Sequence, residues 1–164
     1  MTKFFISIGS NVDAHQNVRS GVAALQERLG PLTLSSVYES EAVGFIGDHF
    51  LNLVVGAATT QLDAYGVVVL LRTIEDHHAR NRHSPRFSPR TLDLDLLLFG
   101  DLVMHTAQLQ LPRPEITQNA FVLAPLAEIA GDEKHPLLNI TFTKLWQQYD
   151  QESQRLWPIP FEWS

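Results

Sequence analysis

Hydrophobic and polar positions divide the chain into segments with the period of a strand and segments with the period of a helix. Four segments alternate or run apolar over a short length, and they predict strands at residues 4–8, 32–40, 50–60 and 92–99. Four others repeat apolar residues every three or four positions, and they predict helices at residues 18–29, 63–74, 120–129 and 140–149. Gly30 is expected to end the first helix, and Asp63 is expected to cap the second.

The predicted elements follow one another as strand, helix, strand, strand, helix and strand, and then a helical C-terminal extension. This order is typical of the α+β class with a ferredoxin-like (βαββαβ) antiparallel sheet and helices packed on it. The stretch 41–49 contains Gly44 and Gly47 and is predicted to be a loop, whereas residues 157–164 are predicted to be irregular. Because no repeat or linker interrupts its 164 residues, we expect a single domain over residues 1–164.

The composition narrows the possible classes of function. Hydrophobic residues make up 45% of the chain and charged residues 18%, and the formal net charge is −6. An acidic chain without a long apolar run gives no reason to expect nucleic acid or a membrane as partner. The absence of cysteine excludes disulfides and thiolate metal sites. With no signal-peptide pattern at its start, the chain is expected to be a cytoplasmic monomer that acts on small molecules.

The fourth predicted strand carries two carboxylates on one face. Its alternation assigns the side chains to two faces, with Leu92, Leu94, Leu96 and Leu98 on one and Asp93, Asp95, Leu97 and Phe99 on the other. The two aspartates are then roughly 6.5 to 7 Å apart along the strand. Like charges so close favour a cation between them, and two carboxylates suit Mg²⁺, which completes its shell with water and substrate phosphates.

An arginine-rich loop directly precedes these aspartates. Four of the 12 lysine and arginine residues fall within it, namely Arg80, Arg82, Arg86 and Arg90. Because guanidinium groups bind phosphate oxygens in pairs, the combination of arginines and metal carboxylates favours phosphoryl-type transfer by positioning and electrostatics. The alternative is a solvated strand edge with the arginines as surface partners of the acids. The clustering of the arginines favours the site.

Asn52 is a further candidate, since it lies within the third predicted strand, where asparagine is disfavoured. It is either at a sheet edge, or a core amide with its hydrogen bonds satisfied, or a fixed amide that binds a ligand. The residue alone does not decide between these interpretations.

Several ordered motifs match one known family. The strongest is residues 89–101 (PRTLDLDLLLFGD), and the others are residues 8–11 (IGSN), 36–40 (SVYES), 50–52 (FLN), 74–75 (IE) and 120–130 (AFVLAPLAEIA). From residue 6 to about residue 131 the chain resembles the 6-hydroxymethyl-7,8-dihydropterin pyrophosphokinases of folate biosynthesis. The resemblance implies transfer of pyrophosphate from ATP to the hydroxymethyl group of a reduced pterin, by attack at the β-phosphorus and with release of AMP.

The resemblance also implies roles for individual residues. Two Mg²⁺ ions would be held by Asp93 and Asp95, which together with Arg80 and Arg90 would be catalytic. The implied ATP-binding positions are Glu75, Arg80, Arg82, Arg90, Leu96, Arg113 and Asn119. The implied pterin-binding positions are Ser40, Val43, Phe50, Asn52, Phe87, Asp93 and Phe121, with Phe121 stacking on the ring.

The chain departs from the family pattern at several of these positions. The family usually has Trp where Phe87 stands, Gly at Ser88, His at Arg113 and Arg at Asn119. Arg113 is expected to keep a phosphate contact and to replace the cation that Asn119 lacks. The departures motivate a second hypothesis, a related ATP- and Mg²⁺-dependent transferase with another alcohol acceptor. A third hypothesis is a non-catalytic protein that binds pterin or nucleotide, and the retained acids and arginines argue against it.

Overall fold

The computed structural model describes residues 1–41, 49–79 and 91–163. In chain order its elements are β1 (Thr2–Ser10), α1 (Ala14–Leu29), β2 (Thr33–Leu34), β3 (Val37–Ser40), β4 (Phe50–Thr59), α2 (Ala64–Ala79), β5 (Asp93–Phe99), β6 (Met104–His105), β7 (Gln110–Leu111), α3 (Glu115–Gln118), α4 (Ala120–Ala130), α5 (Phe142–Gln148) and β8 (Leu156–Ile159). The protein is therefore of the α+β class that the sequence predicts.

The main sheet has six strands and is antiparallel throughout. Its order is β5-β1-β4-β3-β8, and β2 pairs with β4 beside β3. β1 and β4 pair along their length, from Thr2 opposite Thr59 to Ser10 opposite Leu51. β6 and β7 form a separate two-stranded sheet. The two longest strands thus lie at the centre, where their apolar residues are shielded on both faces.

Helices cover both faces of the main sheet. On one face α1 and α2 pack their buried stripes, including Val18, Leu25 and Leu71, against strand residues such as Ile6 and Leu53. On the other face α4 and α5 pack against a second group of strand residues, among them Phe5, Val54 and Leu97. Burial of one such side chain contributes about 1.5–3 kcal/mol, so both layers stabilise the fold through many buried side chains. In the part of the chain that the structure describes, no helix combines the length and apolarity needed to cross a bilayer.

The predicted helix ends are confirmed by their local geometry. Gly30 follows α1 with a φ of 83°, and its backbone N–H donates to the carbonyl oxygen of Gln26. This left-handed backbone favours glycine, which carries no Cβ. At the start of α2, Oδ1 of Asp63 accepts a hydrogen bond from the Gly66 N–H at 2.7 Å, as expected of a cap.

The predicted strand at residues 32–40 is two short strands rather than one. Ser35, between β2 and β3, donates its backbone N–H to the carbonyl oxygen of Val54, and its hydroxyl oxygen accepts from the Val54 N–H. The next residue, Ser36, gives its N–H and its hydroxyl to the Glu128 carboxylate on α4. Side-chain hydrogen bonds therefore replace the regular ladder at this point, and the strand is interrupted.

The predicted faces of β5 are wrong at the end of the strand because of a bulge. Phe5 of β1 lies opposite Leu98, whereas Ile6 lies opposite Leu96, so Leu97 is an extra residue. Leu97 and Leu98 both pack on the α4 face, and Phe99 packs on the α1 and α2 face. The predicted alternation holds for residues 92–96, which include both aspartates.

The C-terminal prediction also needs a correction. Residues 157–164 were expected to be irregular, but Leu156–Ile159 form β8, which pairs with β3 at the edge of the sheet. Pro158 lies within this strand, opposite Tyr38. Proline is tolerated in an edge strand because its missing N–H costs no ladder hydrogen bond on the outer side. The predicted loop around Gly44 and Gly47 lies outside the described residues.

Candidate active site

The candidate site lies on the α4 face of the sheet, where β1 ends and β4 and β5 begin. In the strand pairing Gly9 lies opposite Asp93 on one side and opposite Asn52 on the other. Ser7 lies opposite Asp95. Because alternate residues of a strand share a face, the two aspartates, the amide and the small residues of β1 point to the same side.

A cavity of about 190 Å³ opens at this point. It is lined by Ser7, Ile8, Gly9, Ser40, Glu41, Phe50, Asn52, Asp93, Asp95 and Phe121. The structure thus brings together six residues that the sequence selects from four separate segments: Ser40, Phe50, Asn52, Asp93, Asp95 and Phe121. A cavity with two aromatic rings, an amide and two carboxylates suits a flat polar ligand that carries a reacting group near a metal.

Asn52 is held by a hydrogen bond across the sheet. Its Nδ2 donates to the Ser40 hydroxyl oxygen at 2.8 Å, and both residues are buried. β4 lies between β1 and β3, so the interpretation of Asn52 as an edge residue is wrong. A Cβ on Gly9 would come within 3.2 Å of Asn52 Oδ1, so the glycine leaves room for the amide.

Glu75 on α2 holds the backbone between the two aspartates. Its Oε2 accepts from the Leu94 N–H at 2.9 Å, and its Oε1 accepts from the Arg72 guanidinium at 3.3 Å. Burial raises the pKa of the Glu75 carboxyl, while the Leu94 N–H and Arg72 act in the opposite direction. The contact fixes the strand at the position that carries both acids. The implied nucleotide contact of Glu75 remains a prediction.

Arg113, which precedes α3, forms ion pairs with Glu115 and Asp95. Its guanidinium lies 2.6 Å from Glu115 Oε2 and 3.7 Å from Asp95 Oδ1, and its backbone N–H donates to the carbonyl of Leu97. A second, smaller cavity of about 20 Å³ is lined by residues that include Leu96, Arg113 and Asp95. Asp95 therefore lines both cavities, and two implied nucleotide positions, Leu96 and Arg113, lie together in the second.

The two aspartates fit a magnesium site that is completed by a substrate. Among the described residues, no three acidic or histidine side chains are grouped so that they alone could hold a metal ion. Asp93 and Asp95 alternate on β5, are half-buried and line one cavity. Two carboxylates with open space beside them match Mg²⁺, which usually takes one or two protein carboxylates and leaves positions for phosphate oxygens.

Phe121 and Asn119 lie at the start of α4 but in different surroundings. Phe121 lines the first cavity. Asn119 has the extended backbone of a cap residue, and its side chain makes no capping hydrogen bond. Instead its Oδ1 accepts from Nε2 of Gln154 at 3.2 Å. The implied ATP contact of Asn119 remains a prediction.

Comparison with known proteins identifies the family of the chain. The family model described as 7,8-dihydro-6-hydroxymethylpterin-pyrophosphokinase (HPPK) matches residues 5–131. The chain belongs to the HPPK family. A relative in Bacillus subtilis, named 2-amino-4-hydroxy-6-hydroxymethyldihydropteridine pyrophosphokinase, is 35% identical over 157 residues, covering 93% of this chain and 89% of the relative. An Aquifex aeolicus protein of the same name is 32% identical over 139 residues, covering 84% and 86%.

Solved structures of HPPK-DHPS proteins share the fold. A triple mutant of the Plasmodium falciparum protein superposes with a TM-score of 0.74 at 15% identity, over 90% of this chain and 43% of that one. An HPPK-DHPS in complex with substrates gives a TM-score of 0.73 at 12% identity, over 93% and 46%. The chain therefore spans less than half the length of these structures. At such low identity the likeness concerns the fold alone.

Five of the positions implied by the HPPK resemblance lie outside the described residues: Val43, Arg80, Arg82, Phe87 and Arg90. Their roles remain predictions. The cavity is also lined by four residues that the sequence analysis does not name as site residues: Ser7, Ile8, Gly9 and Glu41. Ser7 had a usable signal, because it alternates with Gly9 as a small polar position in an otherwise apolar strand. Glu41 lies at the end of β3, where no periodicity identifies it.

Proposed function

We propose that the first cavity of this HPPK family member, together with the residues that line the second, is where pyrophosphate passes from ATP to the hydroxymethyl group of 6-hydroxymethyl-7,8-dihydropterin. The products are AMP and the pterin diphosphate, in folate biosynthesis. Family membership and the names of the relatives support the reaction itself. The assignment of residues is supported by one observation: a single cavity contains both the paired acids and the amide with its flanking aromatic rings.

The first cavity has the chemistry needed for the alcohol acceptor. A pterin presents two flat faces and a polar edge. Phe50 and Phe121 provide aromatic surface for the faces, and Asn52 with Ser40 provides an oriented amide for the edge. Asp93 and Asp95 lie in the same cavity, so the hydroxymethyl group of a bound pterin is held beside the acids. Such positioning is a main source of rate in phosphoryl transfer.

The residues around the second cavity, rather than its volume of about 20 Å³, are proposed to contact the nucleotide. Asp95 lines both cavities and Arg113 reaches it, which places a cation beside Asp95. Asp93 and Asp95 are the residues that would hold Mg²⁺, which would supply orientation of the hydroxyl and neutralisation of phosphate charge. Glu75 keeps the acids in position through the Leu94 backbone. Arg80, Arg82 and Arg90 are the predicted phosphate ligands of the preceding loop.

The sheet order supports a ferredoxin-like plan as the underlying topology. If β2 and β8 are left aside, β1, β3, β4 and β5 are the four strands of this plan. Their order in the sheet is β5-β1-β4-β3, with each strand antiparallel to its neighbour. α1 connects the first strand to the second, and α2 connects the third to the fourth, as in a βαββαβ unit. α4, α5 and β8 are additions that cover the other face and extend one edge.

The direct test is AMP formation from ATP, Mg²⁺ and the hydroxymethyl dihydropterin. The proposal predicts AMP and the pterin diphosphate in equal amounts, only when all three are present, and loss of turnover when a chelator removes the metal. AMP formation that does not depend on the pterin would favour a transferase with another acceptor. Pterin binding with no AMP would favour a protein that binds without catalysis.

A further inference from the structure

The segment 149–156 connects two walls of the first cavity, and it lies beyond the residues 5–131 that match the family. One wall is the first turn of α4, which carries Phe121, and the other is the end of β3, which carries Ser40. A third cavity, of about 370 Å³, lies alongside and is lined by Ser40, Glu41, Ala120, Phe121 and residues 152–156. The C-terminal segment therefore lies directly beside the residues proposed to contact the pterin.

Gln154 makes the central contact of this segment. Its Oε1 accepts a hydrogen bond from the Ala120 N–H at 2.9 Å. Its Nε2 lies 3.2 Å from Asn119 Oδ1 and 3.3 Å from the Gln118 carbonyl oxygen, to which it donates. Ala120 is the first residue of α4, so its N–H has no partner within the helix. Gln154 thus satisfies one of the free N–H groups at the start of α4, where the Asn119 side chain makes no capping hydrogen bond.

Two further contacts fix Gln154 between the walls. The Tyr149 hydroxyl donates to the Gln118 carbonyl oxygen at 2.8 Å, which ties the start of the segment to the same junction. Two residues after Gln154, Leu156 lies opposite Ser40 in the pairing of β3 with β8. Ser40 in turn accepts the hydrogen bond from Asn52. The amide of Gln154 is therefore linked to the aromatic wall on one side and, through β8, to the polar wall on the other.

We propose that Gln154 is a positioning residue for the pterin, which it serves by holding the first turn of α4 so that Phe121 faces the cavity. The inference rests on the function proposed above. Phe121 directly follows Ala120, whose N–H is bound by Gln154. A helix terminus that loses its cap frays, and a displaced ring loses stacking contact with a flat ligand. The effect should fall more on the pterin than on ATP, because Phe121 lines the first cavity, whereas the implied nucleotide positions Leu96 and Arg113 line the separate cavity of about 20 Å³. Asn119, the implied nucleotide position that Gln154 contacts, keeps its own side chain in the variants.

Two variants test this in the full chain. Gln154→Met keeps the length of the side chain and removes all three hydrogen bonds, whereas Gln154→Glu keeps an acceptor for the Ala120 N–H and removes the donor. We expect Gln154→Met to raise the KM for the pterin by about tenfold, and the KM for ATP to stay within about twofold. Gln154→Glu should lie nearer the wild type. The matched control is Gln151→Met in the same segment, where the exposed amide donates to the Trp146 carbonyl oxygen at 3.1 Å, and it should keep both KM values.

The outcomes separate this inference from the function on which it rests. If the wild type forms no AMP with the pterin, the proposed function fails and the inference fails with it. If the wild type is active and Gln154→Met keeps the wild-type KM for the pterin, only the inference is overturned. An equal rise in both KM values, or a lower melting temperature with unchanged KM values, would assign Gln154 a general structural role and would also overturn it.

Discussion

The Asn52 amide donates a hydrogen bond to the Ser40 hydroxyl oxygen over 2.8 Å, between two buried residues on neighbouring strands. The contact fixes the rotation of the amide within the cavity that also contains Asp93 and Asp95. A buried amide that is already oriented binds a polar ligand edge without a further loss of side-chain freedom. Ser40 thus contributes to the site mainly through Asn52.

This relationship predicts a non-additive pair of substitutions. Asn52→Ala should raise the KM for the pterin by roughly ten- to hundredfold, because polar groups of the bound ring are left without a partner. Ser40→Ala should raise it only a few-fold. In the double variant the KM for the pterin should rise by less than the product of the two single increases, since Ser40 acts through Asn52, which is already removed. Steady-state kinetics of the four proteins measure this coupling, and independent effects would contradict it.

The acid pair gives the sharpest prediction for catalysis. Asp95→Asn removes a carboxylate from both cavities while keeping the shape of the side chain. We expect kcat to fall by at least about a hundredfold, because a metal ligand at the reacting phosphates is lost. The melting temperature should change little, since Asp95 is only half-buried. Asp101→Asn, in the exposed turn after β5, is the control and should keep full activity. A near-wild-type kcat in Asp95→Asn would remove this residue from the metal site.

Much of the fold follows from local periodicity, and its exceptions depend on partners distant in sequence. The helical spacing of α1 and α2 and the alternation of β5 up to Leu96 are properties of short segments, so they can be predicted. The bulge at Leu97 depends on how β5 pairs with β1, and the break at Ser35 depends on hydrogen bonds to Val54. β8 exists because β3 offers it an edge. None of these partners is adjacent in the sequence.

The same distinction holds for the site. Asp93 and Asp95 could be selected together because two residues of one strand share a face. The Glu75 contact with Leu94 spans 19 positions, and the Gln154 contact with Ala120 spans 34. Arg113 was expected to face phosphate, and the structure pairs it with Glu115 and Asp95. These interactions arise from packing of α2, α3 and the C-terminal segment, for which the sequence pattern contains no signal.

Arg113 offers a prediction that separates two roles. If its guanidinium serves the nucleotide, Arg113→Gln should raise the KM for ATP by about tenfold and leave the KM for the pterin nearly unchanged. Glu115→Gln removes the closer carboxylate, 2.6 Å away, and should leave the KM for ATP unchanged or lower it. If Arg113 only neutralises Glu115, the two variants should be impaired alike. Initial rates at varied ATP and saturating pterin distinguish these outcomes.

His135 predicts how stability depends on pH. It is buried, and its Nδ1 accepts from the backbone N–H groups of Leu137 and Leu138, each at 3.2 Å. Burial lowers the pKa of the His135 imidazole from its ordinary value of 6.5, so the folded protein keeps the ring neutral where the unfolded chain takes up a proton. The unfolded state then binds more protons below about pH 6.5, and stability falls as the pH is lowered through that range.

A substitution that keeps the acceptor and removes the titration isolates this effect. His135→Asn places an amide oxygen near the position of Nδ1, where it can accept from the same N–H groups. We expect the fall in melting temperature between pH 8 and pH 5 to be a few degrees smaller in His135→Asn than in the wild type, because one proton-linked loss of stability is absent. His105→Asn, on the exposed end of β6, should follow the wild type. An equal fall in melting temperature in all three proteins would show that protonation of the His135 ring does not contribute to the loss of stability at low pH.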